Sequence, residues 1–572
     1  MKLIGAQILW ESLVREGVEV VFGYPGGANL PIYNALLDSP IHHVLARHEQ
    51  GAAHMADGYA RACGKVGVAL ATSGPGATNL VTGIATAMMD SSPTVFITGQ
   101  VTSKLIGLDA FQEIDVTGIT LPITKHNYLV TDVDEIGSTL REAFYIARTG
   151  RPGPVLVDIS KDAQQNSTDW EYDDTPLHLR GYLPDLLPVS RDIQKAVDMI
   201  QSARQPVILA GHGVLLSHAV RELREFAEKT NTPVAMTLLG LSSFPASHPL
   251  NLGMMGMHGE ACANHAIQDA DLLLAFGMRF DDRVTGDLKG FATGAKKIQI
   301  DIDIAEINKN VRVDVALIGD LRETLRQLLD YIEPCVHNDW IATIDEFKGD
   351  SAIRDILNIP DDGHLYAPHV ISDLWRYTQG KALLVTDVGQ NQMWAAQYYK
   401  VDHPVSFITS GGLGTMGFGL PAAIGAKFAR PDAEVWVVAG DGGFQMTQAE
   451  LSTAAQEGIK VNVAIINNGF LGMVRQWQEF FYDRRYSATP MRGPDFVKIA
   501  EAHGLKGMRV TQRSEIEEAI RSAQEADGTV VIDFKVEQED SVYPMVPTCA
   551  HLKQMIRRPA NRNRPGGFYQ AP

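Results

Sequence analysis

Apolar and polar positions alternate in the same way along most of the chain. Short runs rich in Val, Ile and Leu, such as "VEVVFG" and "VGVALAT", are followed by longer stretches in which apolar residues recur every three or four positions. The short runs are typical of buried strands and the longer pattern is typical of amphipathic helices. Their regular alternation predicts βαβ units, with parallel sheets covered by helices on both faces.

The alternation falls into three blocks, which we predict to be three domains. The first covers residues 1–165, the second 189–345 and the third 366–540, and the first and third are similar in size and pattern. An acidic, Pro-bearing stretch without periodicity, 166–188, is predicted to be a linker, and 541–572 forms a C-terminal segment. The expected fold class is therefore α/β, with three doubly wound parallel-sheet domains.

The strand-like runs are "VEVVFG", "VGVALAT", "TVFITG" and "GPVLVDI" in the first block, "QPVILAGHGV", "TPVAMTLLG", "ADLLLAFGMRF" and "KKIQIDID" in the second, and "ALLVTDVG", "VSFITSGG", "EVWVVAGDG", "VNVAIINN" and "TVVIDFKV" in the third.

Composition narrows the class of partner. The 572 residues carry a net charge of −18, which argues against nucleic acid or an anionic membrane as the main partner but allows a small anionic substrate. No apolar run reaches membrane-spanning length, and Glu11 and Arg15 interrupt the N-terminal apolar stretch, so we expect a cytoplasmic protein. The four cysteines lie far apart, which makes a zinc site or a disulfide framework unlikely on spacing.

Two neighbouring strand-like runs of the third block end in chemistry-bearing residues. One ends in Gly440-Asp441-Gly442-Gly443 and the next in Asn467-Asn468. If the strands are adjacent and parallel, Asp441 and Asn468 lie side by side and offer the oxygen ligands that Mg²⁺ prefers, while the glycines let the backbone approach a phosphate. Asp-Gly and Asn-Asn-Gly are also common turn formers. Both halves together favour a metal–diphosphate site.

A rival interpretation comes from "GLGTMG", Gly412 to Gly417. This stretch matches the G-x-G-x-x-G fingerprint, follows a strand-like run and precedes a helix-like one, and Asp441 follows near the place of a ribose-binding acid. A nicotinamide-dependent dehydrogenase is therefore a second hypothesis. It leaves the Asn468 end unexplained.

Three further stretches have both a structural and a functional interpretation. Glu49 in "ARHEQGAAHMADGYARA" either caps a helix or is a buried acid bonded to a ring nitrogen of a ligand. The segment "TSGPGATNL" is either a plain turn or a ligand loop. The segment "GMRFDDRVTGDL" is either a solvated ion-pair loop or a phosphate and ribose site.

Taken together, these motifs resemble those of thiamine-diphosphate enzymes, and most closely the catalytic subunits of acetohydroxyacid (acetolactate) synthases. The resemblance covers nearly the whole chain. It rests on the stretches "FGYPGGANLPIYNAL", "RHEQGAAHMADGYARA", "TSGPGATNLVTGIATAMMDS", "DAFQEIDVTGIT", "GRPGPVLVDI", "RFDDRVTGDL", "GLGTMGFGLPAAIGAK", "GDGGFQMT" and "NNGFLGMVRQWQEFFY". The stretches "RFDDRVTG" and "MVRQWQ" are similar to the biosynthetic, FAD-containing form; the catabolic synthase, other thiamine-diphosphate decarboxylases or oxidases, and a non-catalytic relative are the alternatives.

The resemblance implies where thiamine diphosphate and Mg²⁺ bind. The first block is then the pyrimidine-binding domain, with Glu49 exchanging a proton with the aminopyrimidine ring, and the third is the diphosphate-binding domain, with Met416 as an apolar wedge under the cofactor. Asp441, Asn468 and the Phe470 carbonyl would hold Mg²⁺. Gly26, Gln100 and Gln112 are implied near the reacting atoms. The other residues implied to contact thiamine diphosphate are Pro75, Asn79, Gln390, Gly414, Gly440, Gly442 and Gly443.

The resemblance also implies a flavin, the substrates and an oligomer. The second block would bind FAD without net redox chemistry, through Gly211, Gly213, Arg279, Asp301 and Asp320. Pyruvate would be decarboxylated and its two-carbon unit joined to a second pyruvate or to 2-oxobutyrate. Arg279 and Trp477 would bind this acceptor, while Phe111 and Lys161 would line the access path from a partner subunit.

At least a homodimer with active sites at the subunit interface is implied, as is a possible small regulatory subunit. The C-terminal segment resembles the family's lid and tail. Thr548-Cys549-Ala550-His551 departs from the Pro-Gly-Ala-like stretch expected there.

Overall fold

The computed structural model describes residues 2–184, 187–358 and 362–559. Residues 185–186 of the predicted linker and 560–572 of the predicted tail lie outside the described residues. Each of the three blocks contains one six-stranded sheet in which every pair of neighbouring strands is parallel. The predicted fold class, α/β with three parallel-sheet units, is confirmed.

The first block contains these elements: β1 (Lys2–Ile4), α1 (Gly5–Arg15), β2 (Val20–Gly23), α2 (Leu30–Leu36), β3 (His42–Leu45), α3 (Glu49–Cys63), β4 (Gly67–Ala71), α4 (Pro75–Asn79), α5 (Val81–Asp90), β5 (Thr94–Gln100), α6 (Val116–Thr120), β6 (His126–Val130), α7 (Ile136–Arg148), β7 (Pro154–Ser160), α8 (Lys161–Gln165) and β8 (Ser167–Asp169).

The second block contains these elements: α9 (Ser190–Ser202), β9 (Pro206–Ala210), α10 (Gly213–Leu216), α11 (Val220–Thr230), β10 (Val234–Met236), β11 (Asn251–Met254), α12 (Ala261–Asp269), β12 (Leu272–Phe276), α13 (Asp282–Thr285), β13 (Lys296–Asp301), β14 (Val315–Ile318), α14 (Leu321–Tyr331) and α15 (Asn338–Ala352).

The third block contains these elements: α16 (Ala367–Thr378), β15 (Leu383–Thr386), α17 (Gln390–Tyr398), β16 (Phe407–Ile408), α18 (Gly419–Ala429), β17 (Val435–Gly440), α19 (Asp441–Thr447), α20 (Leu451–Gln456), β18 (Asn462–Asn467), α21 (Gly472–Phe481), α22 (Phe496–Ala502), β19 (Lys506–Val510), α23 (Ile516–Glu525) and β20 (Val530–Lys535).

The first and third sheets share one topology. Their strand orders are β3-β2-β4-β5-β7-β6 and β16-β15-β17-β18-β20-β19, so the strands of each sheet lie in the sequence second, first, third, fourth, sixth, fifth. The suggested similarity of these two blocks therefore extends to their connections. The middle sheet has the order β11-β10-β9-β12-β13-β14, which is the order typical of dinucleotide-binding domains.

In each sheet, two neighbouring strands are followed by connections that leave in opposite directions. These switch points lie between β2 and β4, between β9 and β12, and between β15 and β17. Ligands of open α/β sheets bind at the carboxyl ends of the strands beside such a point. The fold therefore marks three places where a ligand site is expected.

Two features of the fold differ from the sequence-based prediction. Residues 167–169, predicted as linker, form β8 and pair antiparallel with β1, which precedes the predicted N-terminal helix. Helix α15 runs to Ala352, beyond the predicted end of the second block. In the residues described, no helix is long and apolar enough to cross a membrane.

The first and third blocks pack on each other through α3 and α18. A Cβ on Gly58 would overlap the Ala422 carbonyl, and one on Gly425 would overlap the Met55 carbonyl. Only glycine permits such a close approach of two backbones. The glycines and alanines of α3 thus serve this crossing, which fixes the first and third blocks relative to one another.

Candidate active site

Asp441 and Asn468 lie at the carboxyl ends of the neighbouring parallel strands β17 and β18, as the sequence predicted. The loops after these strands touch, since a Cβ on Gly442 would lie 2.8 Å from Leu471 Cδ2. Asp441 is 1% exposed and its Oδ2 has no hydrogen-bond partner among the described residues. Burial raises the pKa of Asp441 to about 6. A buried carboxylate oxygen without a partner is costly, which points to a cation.

The ligands around Asp441 suit Mg²⁺ better than a transition metal. In the described part of the chain, no cluster of three or more His, Cys, Asp or Glu side chains could hold a metal ion. A site here would combine one carboxylate with amide and backbone oxygens, which is the oxygen-rich set that Mg²⁺ takes alongside phosphate. Asn468 Oδ1 accepts a hydrogen bond from the Phe470 amide at 3.1 Å, so the predicted third ligand residue lies beside the pair.

The Gln390 side chain fixes Asn468. Asn468 Nδ2 donates to Gln390 Oε1 at 3.0 Å, and Gln390 Nε2 donates to Gln476 Oε1 at 2.9 Å and to the Asp540 carbonyl at 3.2 Å. The amide of Gln390 is thus occupied by protein partners. Its side chain orients the Asn468 amide, and its two N–H groups are already used, so a further polar contact of the amide would be accepted by Oε1.

The loop from Gly412 to Gly417 lies next to the Asp441 site. Met416 Cε would lie 3.6 Å from a Cβ on Gly442, so the predicted wedge residue faces the predicted diphosphate loop. Asp387, at the end of β15, accepts the amides of Gly417 at 3.1 and 3.0 Å and of Gly419 at 3.0 Å. The glycine-rich stretch is therefore fastened at the switch point between β15 and β17.

This geometry does not support the nicotinamide hypothesis. The loop follows β16, which is an edge strand whose only sheet neighbour is β15. β17, which leads to Asp441, is not adjacent to β16, so the acid and the glycine-rich loop do not form the dinucleotide fingerprint of two neighbouring strands.

Glu49 is the first residue of α3 and faces the switch point between β2 and β4. Asn79 Nδ2 donates to Glu49 Oε2 at 2.9 Å. Gly76, in the predicted Gly-Pro-Gly loop with Pro75, is close to the other oxygen, since a Cβ there would lie 3.2 Å from Oε1. Glu49 is half-buried in the single chain, whereas the functional interpretation was a buried acid. Asn79 binds its Oε2, so Oε1 is the oxygen available to a ligand.

The remaining residues predicted for the first block lie near the carboxyl ends of the strands of the same sheet. Gly26 packs against Thr72, and Gln112 packs against Gly74 of the Gly-Pro-Gly loop. Gln100 is buried and donates to the Ile114 carbonyl at 2.9 Å. Phe111 is 87% exposed, as an access-path residue beside a subunit interface would be before its partner covers it. Lys161 begins α8, and the adjacent Asp162 accepts the Ser103 amide at 2.9 Å.

A cavity of about 1060 Å³ lies between the three blocks at the second switch point. Gly211 and Gly213, after β9, meet the backbone of Gly277, after β12, at distances that only glycine allows. Burial raises the pKa of Asp301 to about 6, and Asp320 caps α14 by accepting the Glu323 amide at 3.0 Å. The predicted site residues that line the cavity are Gly213, Arg279, Asp301, Asp320, Gly414 and Trp477.

Four buried charged residues of this region were missed by the sequence analysis. Asp387 follows a strand, the same signal that identified Asp441. Glu450, after α19, accepts the amides of Arg47 and His48 just before Glu49, each at 3.1 Å. Arg61 and Asp90, which both belong to the first block, form a buried ion pair at 2.8 Å where that block meets the third. Nothing in their sequence surroundings distinguishes Glu450, Arg61 or Asp90 from surface charges.

Comparison with known proteins identifies the family. Residues 4–119 match the family "Thiamine pyrophosphate enzyme, N-terminal TPP binding domain", residues 193–328 match its central domain and residues 387–534 match its C-terminal TPP binding domain. The acetolactate synthase large subunit of Corynebacterium glutamicum is 50% identical over 95% of this chain and 88% of its own length. The chain belongs to the acetolactate synthase large-subunit family.

Two more acetolactate synthase relatives cover almost all of the chain. The isozyme 2 large subunit of Escherichia coli is 45% identical over 97% of this chain and 99% of its own length. The probable large subunit of Methanococcus aeolicus is 48% identical over 96% and 95%. The resemblance stated from the motifs is thereby confirmed. In this acetolactate synthase family member, Glu49 falls in the N-terminal TPP-binding match, Arg279 in the central match and Asp441 in the C-terminal one.

Proposed function

We propose that the protein is a biosynthetic acetolactate synthase. It decarboxylates pyruvate and joins the two-carbon unit to a second pyruvate, giving 2-acetolactate, or to 2-oxobutyrate, giving 2-aceto-2-hydroxybutyrate. The observation that carries the proposal is the pair of half-sites in one family member: Glu49 held by Asn79 at one switch point, and Asp441 with an unpaired buried oxygen beside Asn468 at another.

The diphosphate end of the cofactor would be held by the third block. Asp441 Oδ2, Asn468 Oδ1 and the Phe470 carbonyl would bind Mg²⁺, and the backbone of Gly440, Gly442 and Gly443 would lie against the phosphates. Gln390 binds Asn468 Nδ2, which would leave Asn468 Oδ1 as the atom that binds the metal. The buried position of Asp441 excludes water, so the carboxylate interacts strongly with the cation.

The ring end would be held by the first block. Thiamine diphosphate, when bound, supplies the nucleophilic carbon and the electron sink for decarboxylation. Glu49 would exchange a proton with the ring through Oε1 while Asn79 holds Oε2 in place. Met416 would contact the cofactor as an apolar wedge, and Gly26, Pro75 and Gln112 would line the ring and the reacting atoms.

The large cavity would hold FAD and lead to the acceptor site. Gly211 and Gly213 lie at the switch point of a sheet with dinucleotide-binding strand order, and Asp301 and Asp320 line the cavity at the ends of the next strands, β13 and β14, which supports a dinucleotide there. Arg279 and Trp477 line the same cavity next to Gly414, so an acceptor carboxylate bound by Arg279 would lie between flavin and thiamine. This cavity favours the biosynthetic form over the flavin-free catabolic synthase.

We further propose a cytoplasmic homo-oligomer, at least a dimer, whose active sites lie between subunits. Phe111 and Lys161 of one subunit would then line the path to the cofactor held by Asp441 of the other. A small regulatory subunit is part of the proposal through the resemblance to acetohydroxyacid synthases.

The deciding experiment is a colour assay for acetoin after acid treatment of a reaction with pyruvate, thiamine diphosphate and Mg²⁺. We expect product from the wild type, a loss of at least about 100-fold in Glu49→Ala without loss of fold, and a yellow protein with bound FAD. No product from the folded wild type would refute the function. A colourless, active protein would instead support the catabolic form.

A further inference from the structure

The loop that carries Met416 is fastened by the first block of the same chain. This loop, residues 409–416, connects β16 to α18 and belongs to the third block. Three side chains of the first block bond to it: Arg61 of α3, and Thr86 and Asp90 of α5. The proposed function assigns Met416 a role but leaves these three side chains without one.

Asp90 binds the start of the loop. Its Oδ1 accepts the Gly412 amide at 2.6 Å and its Oδ2 accepts the Gly411 amide at 3.2 Å. A Cβ on Gly412 would lie 2.6 Å from Asp90 Oδ1, so the contact requires glycine at this position. The carboxylate is buried and also accepts Arg61 Nη2 at 2.8 Å, which compensates its charge.

Thr86 binds the end of the loop. Its hydroxyl lies 2.7 Å from the Thr415 hydroxyl, and both side chains are buried. Thr86 and Asp90 are four residues apart and therefore share one face of α5. A single helix face thus bonds to the loop at Gly411, Gly412 and Thr415, which all lie within the five residues that precede Met416.

Arg61 adds an anchor where β16 ends. Its Nη1 donates to the Thr409 carbonyl at 2.7 Å, while its Nε and Nη2 also donate to Asp57 at 2.6 and 3.0 Å. Within the third block, Thr415 N donates to Ser410 Oγ at 3.0 Å, which closes the loop on itself. The first block therefore anchors the loop at Thr409, Gly411, Gly412 and Thr415.

We propose that Thr86 and Asp90 are positioning residues for Met416: they hold the 409–416 loop so that the Met416 side chain faces Gly442 and the cofactor site. The inference rests on the proposed function for the role of Met416. Misplacing a group by about 1 Å at a reacting centre can cost about 100-fold in rate. Loosening this loop should therefore lower kcat and leave the binding of pyruvate nearly unchanged.

The first test uses Thr86→Val, which removes one hydroxyl and keeps the shape. We expect kcat to fall about tenfold with KM for pyruvate within about twofold of the wild type, because the lost contact acts after binding. The matched control is Thr82→Val, one turn earlier on α5, where the side chain is exposed and the wild-type rate should persist. A wild-type kcat in Thr86→Val would overturn the proposal.

Two further measurements separate positioning from general stability. In the double variant Thr86→Val/Met416→Ala, kcat should equal that of Met416→Ala within about twofold, since both changes act on one group; additive losses would overturn the proposed route through Met416. Hydrogen exchange of a peptide spanning 409–416 should be at least about tenfold faster in Asp90→Asn than in the wild type, because the Asn side chain has one acceptor oxygen and an NH₂ group that faces an amide donor, so one of the Gly411 and Gly412 amides loses its acceptor.

Unchanged exchange in folded Asp90→Asn would equally overturn the proposal. If Asp90→Asn does not fold, exchange in Thr86→Val decides in its place, since that variant leaves the Arg61–Asp90 pair intact. The exchange measurement needs no turnover, so it judges the anchors even if the wild type were found not to form acetolactate, an outcome that would refute the proposed function alone.

Discussion

At the scale of single residues, the metal site proposed for the third block depends on Asp441. Its Oδ2 is buried without a partner, so we expect Asp441→Asn to raise the Mg²⁺ concentration for half-maximal activity at least about tenfold, since a neutral amide binds the cation far less well. A Mg²⁺ titration of acetolactate formation measures this. Asp432→Asn, an exposed acid ahead of the same strand, is the control. An unchanged Mg²⁺ requirement in Asp441→Asn would contradict the metal site.

Asp158, in the middle of β7, is predicted to make the stability of the fold depend on pH. Burial raises its pKa to about 7, although Thr98 and Gln100 donate hydrogen bonds to its two oxygens at 2.7 and 2.9 Å. The folded state thus favours the protonated acid, and this favourable contribution is present below pH 4 and lost as pH rises to about 7. The loss amounts to at most about 4 kcal/mol, at 1.4 kcal/mol for each pH unit.

We therefore expect the thermal unfolding midpoint of the wild type to fall relative to that of Asp158→Asn between pH 4 and 7, and the gap to stay constant above. The neutral amide does not titrate, so any fixed packing cost of the substitution cancels in the trend. Parallel midpoint curves for the two proteins would show that Asp158 does not titrate in this range.

At the scale of elements, the sequence predicted the central strands and the edge strand β16 but missed the other edge strands. Every strand with neighbours on both sides was identified, whereas β3, β6, β11, β14 and β19, all at sheet edges, were not. Edge strands face solvent on one side and carry polar residues, as in "HNYLV" of β6, so they lack a continuous apolar run. The same logic applies to the site: strand-end residues such as Asp441 were predictable, while Glu450 and Asp90 depend on packing between blocks.

The contribution of the α3–α18 crossing to the stability of the protein can be tested. A Cβ on Gly425 would overlap the Met55 carbonyl, so Gly425→Ala should destabilise the protein by about 1–3 kcal/mol and lower its unfolding midpoint. Gly349→Ala, in α15 where no atom lies within 4 Å of the added Cβ, should instead stabilise it by about 0.5–1 kcal/mol. Equal effects of both substitutions would show that the crossing tolerates a wider separation.

At the scale of the whole molecule, the question is which Glu49 serves which Asp441. Within one chain, no hydrogen bond of the described residues joins Glu49 or Asn79 to the loops that hold Asp441 and Asn468. Large apolar side chains are exposed near both halves, including Leu30 and Phe111 in the first block and Met446 and Val474 in the third. In the homo-oligomer proposed above, these side chains would be covered where the ring half of one subunit meets the diphosphate half of another.

A mixing experiment decides between a shared and an intrachain site. Glu49→Ala and Asp441→Ala should each be inactive, but co-expressed with different tags they should form hybrids that contain one intact site, built from the unaltered half of each chain. With random pairing in a two-fold dimer, about a quarter of all sites would be intact, so about a quarter of wild-type activity should return. Hybrids purified through both tags should have about half of it. If Glu49 served the Asp441 of its own chain, every site would contain one defect, and the purified hybrids would be as inactive as their parents.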